Sequence, residues 1–542
     1  MTNKSFTPPS SVDVLYDYLP LLSDKPLCEI PENMRGTEIA IIGAGAAGML
    51  AAYELLKMGL KPTIYEATDR IGGRLYTKSF EQVLDAVKPF AELGAMRIPK
   101  GSHVFLHYAN KLKLQQGMSF PSPGTVDTLI YYRGTKYKWE ANQPPPMPFK
   151  EIKILWDGFL MPSVAKIHVA WQSGDLEMVK TLWQQMLDTY KNKSCYEVLK
   201  EMSPLHSDEH VHMFGALGTG GGGYSAFFSL GFSQLLRFAV NRHFDDLVVF
   251  PNGVFEFIDK LFHLPVKDVG SLADQECVHL NSPLVLLDYC LESENPVVVY
   301  KDKRGTYHRK EYKGVIFTGT VSAAQLVNMT GKTQTGVYLV SFKVQNAIKN
   351  SLMLASSKTY ILSKDKFWKN GKFPACILTD DLPRATYFLD YPQTKRGVIC
   401  ISYTWGLDAQ KLTAVNPEDR VTMFKRVFQD MSPSLNSHIE PLNGEVITID
   451  WINRKYQNGT TTVFTSGIDA GQRDLYFQFQ SCLHDEEDKG VYLAGDTISW
   501  SPGWVEGALH TSINAVFAIA KRLGAKIPLA SPLEQDSNAY RY

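Results

Sequence analysis

Residues 38 to 74, EIAIIGAGAAGMLAAYELLKMGLKPTIYEATDRIGGR, carry three glycines at the spacing G-x-G-x-x-G, then an acid, then a glycine pair followed by an arginine. Gly43 permits a tight turn, Gly45 and the adjoining Ala46 let backbone approach a pyrophosphate, and Gly48 lets a helix pack close on a strand. Glu66 follows Gly43 by 23 residues, where a carboxylate accepts hydrogen bonds from ribose hydroxyls and repels a 2′-phosphate. Gly72 and Gly73 bring a second loop toward the same phosphates, and Arg74 adds a positive charge there. The chemistry these residues describe is the holding of a dinucleotide.

Such a site needs elements to position it. Ile39 to Ile42 is a short apolar run suited to a strand buried on both faces. Residues 46 to 58 are rich in helix formers, and Gly59 is a stop signal. The pyrophosphate belongs at the N-terminus of that helix, where unpaired N–H groups and the dipole favour negative charge. A second strand, KPTIYE, carries Glu66 at its end.

Composition frames this reading. A chain of 542 residues is too long for one core and predicts two or three domains. The formal charge is zero with no basic stripe, which excludes nucleic acid as a partner. Seven cysteines without any C-x-x-C argue against a disulfide framework or a zinc site, and for a reducing compartment; no metal is expected. The first 20 residues lack the basic and apolar regions of a signal peptide, and no apolar run is long enough to span a bilayer. The expectation is a soluble, cytoplasmic enzyme without a membrane partner.

The pattern along the chain predicts a discontinuous layout. Residues 1–36 read as an irregular arm, with prolines discouraging regular structure. Segments 37–110, 241–334 and 481–525 read as the nucleotide domain, 111–149 and 335–480 as a substrate domain, 150–240 as a helical domain and 526–542 as a tail. The alternating β-branched and aromatic runs RATYFLDYP and GVICISYTW suit an antiparallel sheet.

The glycine pair with its arginine resembles the signature of the flavin amine oxidases, and GVYLAGDTISWSPGWVEGALHTSINAV (490–516) resembles their second cofactor segment. Within that family the chain is similar to the tryptophan 2-monooxygenases and neighbouring L-amino acid oxidases. The carrying segments are SSVDVLYDYLP, AELGAMRIP (91–99), FPSPGTVDTLIYYRGTKYKW (120–139), SSKTYILSKDKFW (356–368), ISYTWGLDAQKL (401–412) and the terminal NAYRY. The resemblance implies FAD as cofactor. It also implies an α/β, Rossmann-like FAD domain of the amine-oxidase type, joined to a mixed, largely antiparallel substrate sheet and a helical insertion. Besides the loop residues already named, it places Gly94, Ala95, Met96, Arg97, Val278, Gly495, Asp496, Trp504 and Val505 against the FAD, with Asp496 at the ribityl–pyrophosphate region. Relatives of this kind are often homodimers.

Three residues take chemical roles from the resemblance. Arg97 grips a substrate carboxylate, Tyr403 adds a hydrogen bond to it, and Lys358 holds a water beside the flavin. By type alone Arg97 and Lys358 could equally be surface charges, and Tyr403 a core tyrosine. Tyr224 falls where the tryptophan enzymes put an aromatic residue against the indole, and Trp405, Trp451 and Trp504 are candidates for an aromatic wall or for core. Lysine-active relatives place an acid around 224–228, where YSAFFS has none, so the resemblance favours an aromatic or large apolar L-amino acid. Oxygen would be the second substrate. The product would be an amide one carbon shorter if the imino acid stays in a closed site, or a keto acid, ammonia and hydrogen peroxide if it leaves. Amine and polyamine oxidation is the remaining alternative, and Arg97 in its motif argues against it. His243 and His510 are read as structural.

Overall fold

The computed structural model describes residues 17–115, 117–202, 208–217, 224–241, 243, 246–468, 470–529 and 531–533. The first part of the N-terminal arm and the terminal NAYRY lie outside the described residues.

The run Glu38–Ile42 is the middle of a five-stranded parallel sheet, in the order Val278–His279, Lys61–Tyr65, Glu38–Ile42, Val315–Phe317, Val491–Leu493. Its residues alternate between two cores, as strand geometry requires. Ile39 and Ile41 pack with the helices Ala46–Lys57 and Val505–Arg522, while Ala40 and Ile42 pack with Leu287, Tyr289 and Val298 of a three-stranded antiparallel sheet on the other face. This double burial explains the uninterrupted apolar run. The N-terminal arm closes over the helical side, where the Tyr18 hydroxyl donates to Asn514 Oδ1 at 2.8 Å and lies 2.9 Å from the Tyr476 hydroxyl.

A second sheet of seven strands runs Val446–Asp450, Ser356–Ser363, Gly397–Trp405, Ala385–Leu389, Cys376–Thr379, Thr128–Tyr132, Thr135–Trp139. Every pairing in it is antiparallel except that of Cys376–Thr379 with Thr128–Tyr131. Among the described residues five helices, Phe149–Gln172, Leu176–Tyr190, Cys195–Met202, Asp208–Leu217 and Phe232–Val240, form the insertion, and their core joins that of the second sheet. Asp175 caps one of them by accepting from Met178 N. The expected α/β architecture with a mixed substrate sheet and a helical insertion is therefore present.

The cores depart from the expected segment boundaries in both directions: Phe80, Phe90 and Leu93, grouped by sequence with the nucleotide domain, pack in the core of the second sheet. Leu339 to Ile348 and Phe464 to Leu475 were grouped by sequence with the second sheet, yet they pack against Ile42, Tyr65 and Phe317 of the nucleotide sheet. An apolar run announces burial without naming the core that buries it. Among the described residues no helix is long and apolar enough to cross a membrane.

Gly48 shows how tightly the first helix sits. A Cβ there would lie 2.0 Å from the Gly43 carbonyl oxygen, a backbone atom that cannot move aside. Gly48→Ala is expected to destabilise the protein by about 1–3 kcal/mol, measured as a lowered urea midpoint. An unchanged midpoint would mean that the helix shifts freely, against this packing.

Candidate active site

One cleft runs between the two sheets, and both glycine loops open into it. Gly43 and Gly72 have φ of +107° and +102°, conformations that side chains resist. Gly72 N donates to Ala44 O at 2.8 Å, and a Cβ on Gly73 would lie 3.2 Å from Gly45 Cα, so the loops meet through bare backbone. The helices starting at Ala46 and Val505 both present their first residues to the cleft, and neither has a side-chain cap. Two uncapped N-termini of 12- and 18-residue helices, with glycine backbone between them, fit a pyrophosphate. Glu66 Oε2 accepts from Ala44 N at 2.8 Å, while Oε1 accepts from Thr68 N and Oγ1. The acid thus braces the loop as well as facing the cleft.

Arg74 and Asp496 take a relation that sequence did not suggest. The guanidinium grips the carboxylate through both Nη atoms, with Nη1 at 3.0 Å from Oδ2, and Nη1 also donates to Thr460 O. Asp496 Oδ2 accepts from Gly503 N at 3.0 Å as well. The positive charge expected at the phosphates is balanced by this pair, which ties the first loop to the last cofactor segment.

At the other end of the cleft, the strands Ser356–Ser363 and Gly397–Trp405 set Lys358 opposite Tyr403. Lys358 Nζ donates to Glu92 O at 3.0 Å and Gly94 O at 2.6 Å, and sits 4.8 Å from the Tyr403 ring centre. Burial lowers the Lys358 pKa from the ordinary lysine range. Burial raises the Tyr403 phenol, with Arg97 pulling the other way, so Tyr403 keeps its proton and can donate. Arg97 is 9% exposed, with its guanidinium 5.1 Å from the Phe120 ring and 5.9 Å from the Tyr403 ring. Gly94 allows this crowding, since a Cβ there would be 1.7 Å from Arg74 O.

Aromatic rings form the remaining wall. Tyr403 and Trp405 lie 5.3 Å apart, Trp405 and Phe227 6.3 Å, and Phe227 and Tyr224 6.0 Å. Trp504 stacks on His243 at 5.3 Å, and His243 meets Phe238 edge-on. Trp451 is almost fully buried and donates to Leu93 O, so it is core and wall together. His510 lies 3.1 Å from Glu506 and stacks on Tyr18, away from the cleft lining.

Of the residues singled out by sequence, Gly43, Gly45, Ala46, Glu66, Gly73, Arg74, Gly94 to Arg97, Tyr224, Lys358, Tyr403, Trp405, Trp451, Gly495, Asp496, Trp504 and Val505 all line the cleft. Gly48 does not, because its close approach is to Gly43 behind the loop. Val278 does not either; it pairs with Ile64 on the edge of the parallel sheet. The cleft also takes in Thr318, Phe227, Phe238 and Tyr456, which sequence reading passed over. Phe227 stood within the quoted YSAFFS run, and the positive φ of 74° at Tyr456 leaves no mark in sequence.

Residues 46–520 match the family of flavin-containing amine oxidoreductases. The chain belongs to this family. Its flavin is FAD, and the glycine cradle and paired helix N-termini fit that group. The tryptophan 2-monooxygenase of Pseudomonas savastanoi is 31% identical over 98% of this chain and 99% of its own length. An L-amino acid oxidase, bordonein-L of Crotalus durissus terrificus, is 23% identical over 88% of this chain and 86% of its own. The structure of a putrescine oxidase bound to putrescine superposes with a TM-score of 0.66 at 15% identity, covering 89% of this chain and 98% of that one, a likeness of fold.

In this flavin amine oxidoreductase, Arg74→Ala would strand the largely buried Asp496. The expected result is a loss of about 3 kcal/mol in stability and release of yellow cofactor on gel filtration. Full retention of both would mean that the pair does not join the two cofactor segments.

Proposed function

We propose that this enzyme oxidises an L-amino acid with an aromatic side chain, L-tryptophan foremost, and converts it with oxygen to the amide one carbon shorter. The observation that carries the reading is the buried Arg97 guanidinium beside Tyr403 and Lys358, in the same cleft as the rings of Tyr224, Phe227 and Trp405. A guanidinium and a phenol that keeps its proton form a carboxylate clamp, and amines without a carboxylate have no use for one. The aromatic wall suits an indole through offset and edge contacts worth about 0.5–1.5 kcal/mol each beyond burial. The similarity to tryptophan 2-monooxygenases over nearly the whole of both chains supports the same substrate.

The residues divide the work as follows. FAD, held by Gly43, Gly45, Ala46, Glu66, Gly73, Gly495 and the Arg74–Asp496 pair, supplies the two-electron redox chemistry. Arg97 and Tyr403 fix the carboxylate and thereby aim the substrate's Cα–H, while the amine reacts in its neutral form. The ring wall keeps water from the imino acid, and Lys358 presents its buried nitrogen where oxygen is consumed. Tryptophan and oxygen then give indole-3-acetamide, carbon dioxide and water, a product that feeds auxin synthesis. The L-amino acid oxidase relative supports a second outcome, in which the imino acid escapes and water yields keto acid, ammonia and hydrogen peroxide. Seven free cysteines support placement in a reducing cytoplasm, and the family resemblance supports a homodimer.

Incubation of the purified holoenzyme with L-tryptophan in air, with products identified by mass and peroxide assayed, tests this directly. Indole-3-acetamide with little peroxide is expected, and indole-pyruvate with stoichiometric peroxide would replace the monooxygenase reading by the oxidase one. Arg97→Met is expected to lower kcat/KM for tryptophan by about tenfold to a hundredfold. The rate on tryptamine, which has no carboxylate, should be the same in Arg97→Met as in the wild type. Equal losses on both substrates would remove Arg97 from the clamp.

A further inference from the structure

Lys358 has an acid for a neighbour that the reaction described above does not employ. Glu92 ends the strand Phe90–Glu92, and both Glu92 and Lys358 are almost fully buried. The Glu92 carbonyl accepts from Lys358 Nζ at 3.0 Å and from the Tyr360 hydroxyl at 2.8 Å. Its carboxyl turns elsewhere. Oε1 accepts from Thr77 Oγ1 at 2.9 Å and Val254 N at 2.6 Å, while Oε2 is buried and takes no hydrogen bond from the protein.

We propose that Glu92 is a positioning residue that sets the charge of Lys358, and that their joint proton state decides whether Lys358 offers a hydrogen or a lone pair to the cleft.

Valence supplies the first half of the argument. An ammonium has three N–H groups, and two are committed to the carbonyls of Glu92 and Gly94. The third remains for the cleft that Lys358 lines. A neutral amine has two N–H groups and one lone pair; the same two bonds use both hydrogens and leave the lone pair. Nothing need move, and the sign of the interaction reverses.

Electrostatics supplies the second half. Burial alone pushes both groups toward neutrality, raising Glu92 and lowering Lys358, and their mutual attraction opposes it. The carboxyl is not within ion-pair distance, so the coupling is Coulombic, across a buried interior that screens poorly. The other groups facing Lys358 are Arg97, whose charge favours the neutral amine, and Cys400 and Tyr403, whose protons burial retains. Those facing Glu92 are Tyr360 and Tyr391, which burial likewise keeps protonated. Glu92 is therefore the carboxylate that can answer Lys358. In the exchange, an N–H bond breaks at Nζ and an O–H bond forms at the Glu92 carboxyl, and the net charge stays zero.

The pairing stands on its own, while its catalytic consequence rests on the function proposed above. Infrared titration of the wild-type holoenzyme and of Lys358→Met reads the Glu92 carboxylic-acid stretch, assigned by its loss in Glu92→Gln or its displacement in Glu92→Asp. Removal of the lysine is expected to move that titration up by about one pH unit or more. Superimposable curves would overturn the proposal, whatever the reaction products prove to be. In Glu92→Gln the pH midpoint of reduced-flavin reoxidation is expected to move down by about as much, with Glu92→Asp restoring most of it. A midpoint that stays put in Glu92→Gln would overturn Glu92's control of Lys358. The infrared comparison keeps Glu92 in place, so it remains decisive even if Glu92→Gln does not fold.

Discussion

Strands carry successive side chains to opposite faces, so Cys400 and Tyr403, three residues apart, belong on opposite sides of a regular strand. In this chain they share a side. Register runs from Thr359 opposite Ser402 to Tyr360 opposite Cys400, leaving Ile401 as an extra residue in a β-bulge. The strand Ser356–Ser363 is regular, so Lys358 and Tyr360 share a face, and the bulge brings Tyr403 and Cys400 to meet them. Without it, Tyr403 would turn to the other face of the sheet, where the helix Pro417–Met431 packs, and the cleft would lose the phenol that stands beside both Arg97 and Lys358.

The rest of the architecture serves that face. The strand at Phe90–Glu92 and the turn after it bring Glu92 O, Gly94 O and Arg97 to the bulged pair, and the absence of a side chain on Gly94 lets the turn lie against Arg74. Arg74 then reaches Asp496, so the glycine loop, the Lys358–Tyr403 pair and the segment around Asp496 are linked through four consecutive contacts. Charge is handled sparingly along this path. Arg74 is neutralised by Asp496, Lys358 answers to Glu92, and the Arg97 guanidinium lies beside the rings of Phe120 and Tyr403.

Much of this was legible in the sequence, for a physical reason in each case. The glycine loop declared itself because a pyrophosphate tolerates only bare backbone, and the buried central strand because a doubly covered sheet has no polar face. The cleft-lining residues Gly94 to Arg97, Lys358, Tyr403 and Asp496 followed from matched segments. What stayed hidden depends on distance in space. Val278, matched to a cofactor position, sits at a sheet edge outside the cleft lining. The bulge at Ile401 is a fact of pairing between two strands, and neither strand alone contains it. The coupling of Glu92 to Lys358 joins residues 266 positions apart.

The parallel sheet also has a history. Its edge strand Val491–Leu493 and the helix Val505–Arg522 come from the end of the chain, while the Gly43 loop they enclose comes from the beginning. During synthesis the nascent N-terminal segment must wait for about 450 further residues, roughly 20 to 90 s at ordinary ribosomal rates, before its partners emerge. Through that interval Ala40 and Ile42 can already be covered by Leu287 and Val298, while the part of the helical core supplied by Val505–Arg522 is still missing. The cleft, too, is closed only once Gly495 to Ala508 have joined the Gly43 loop in its wall.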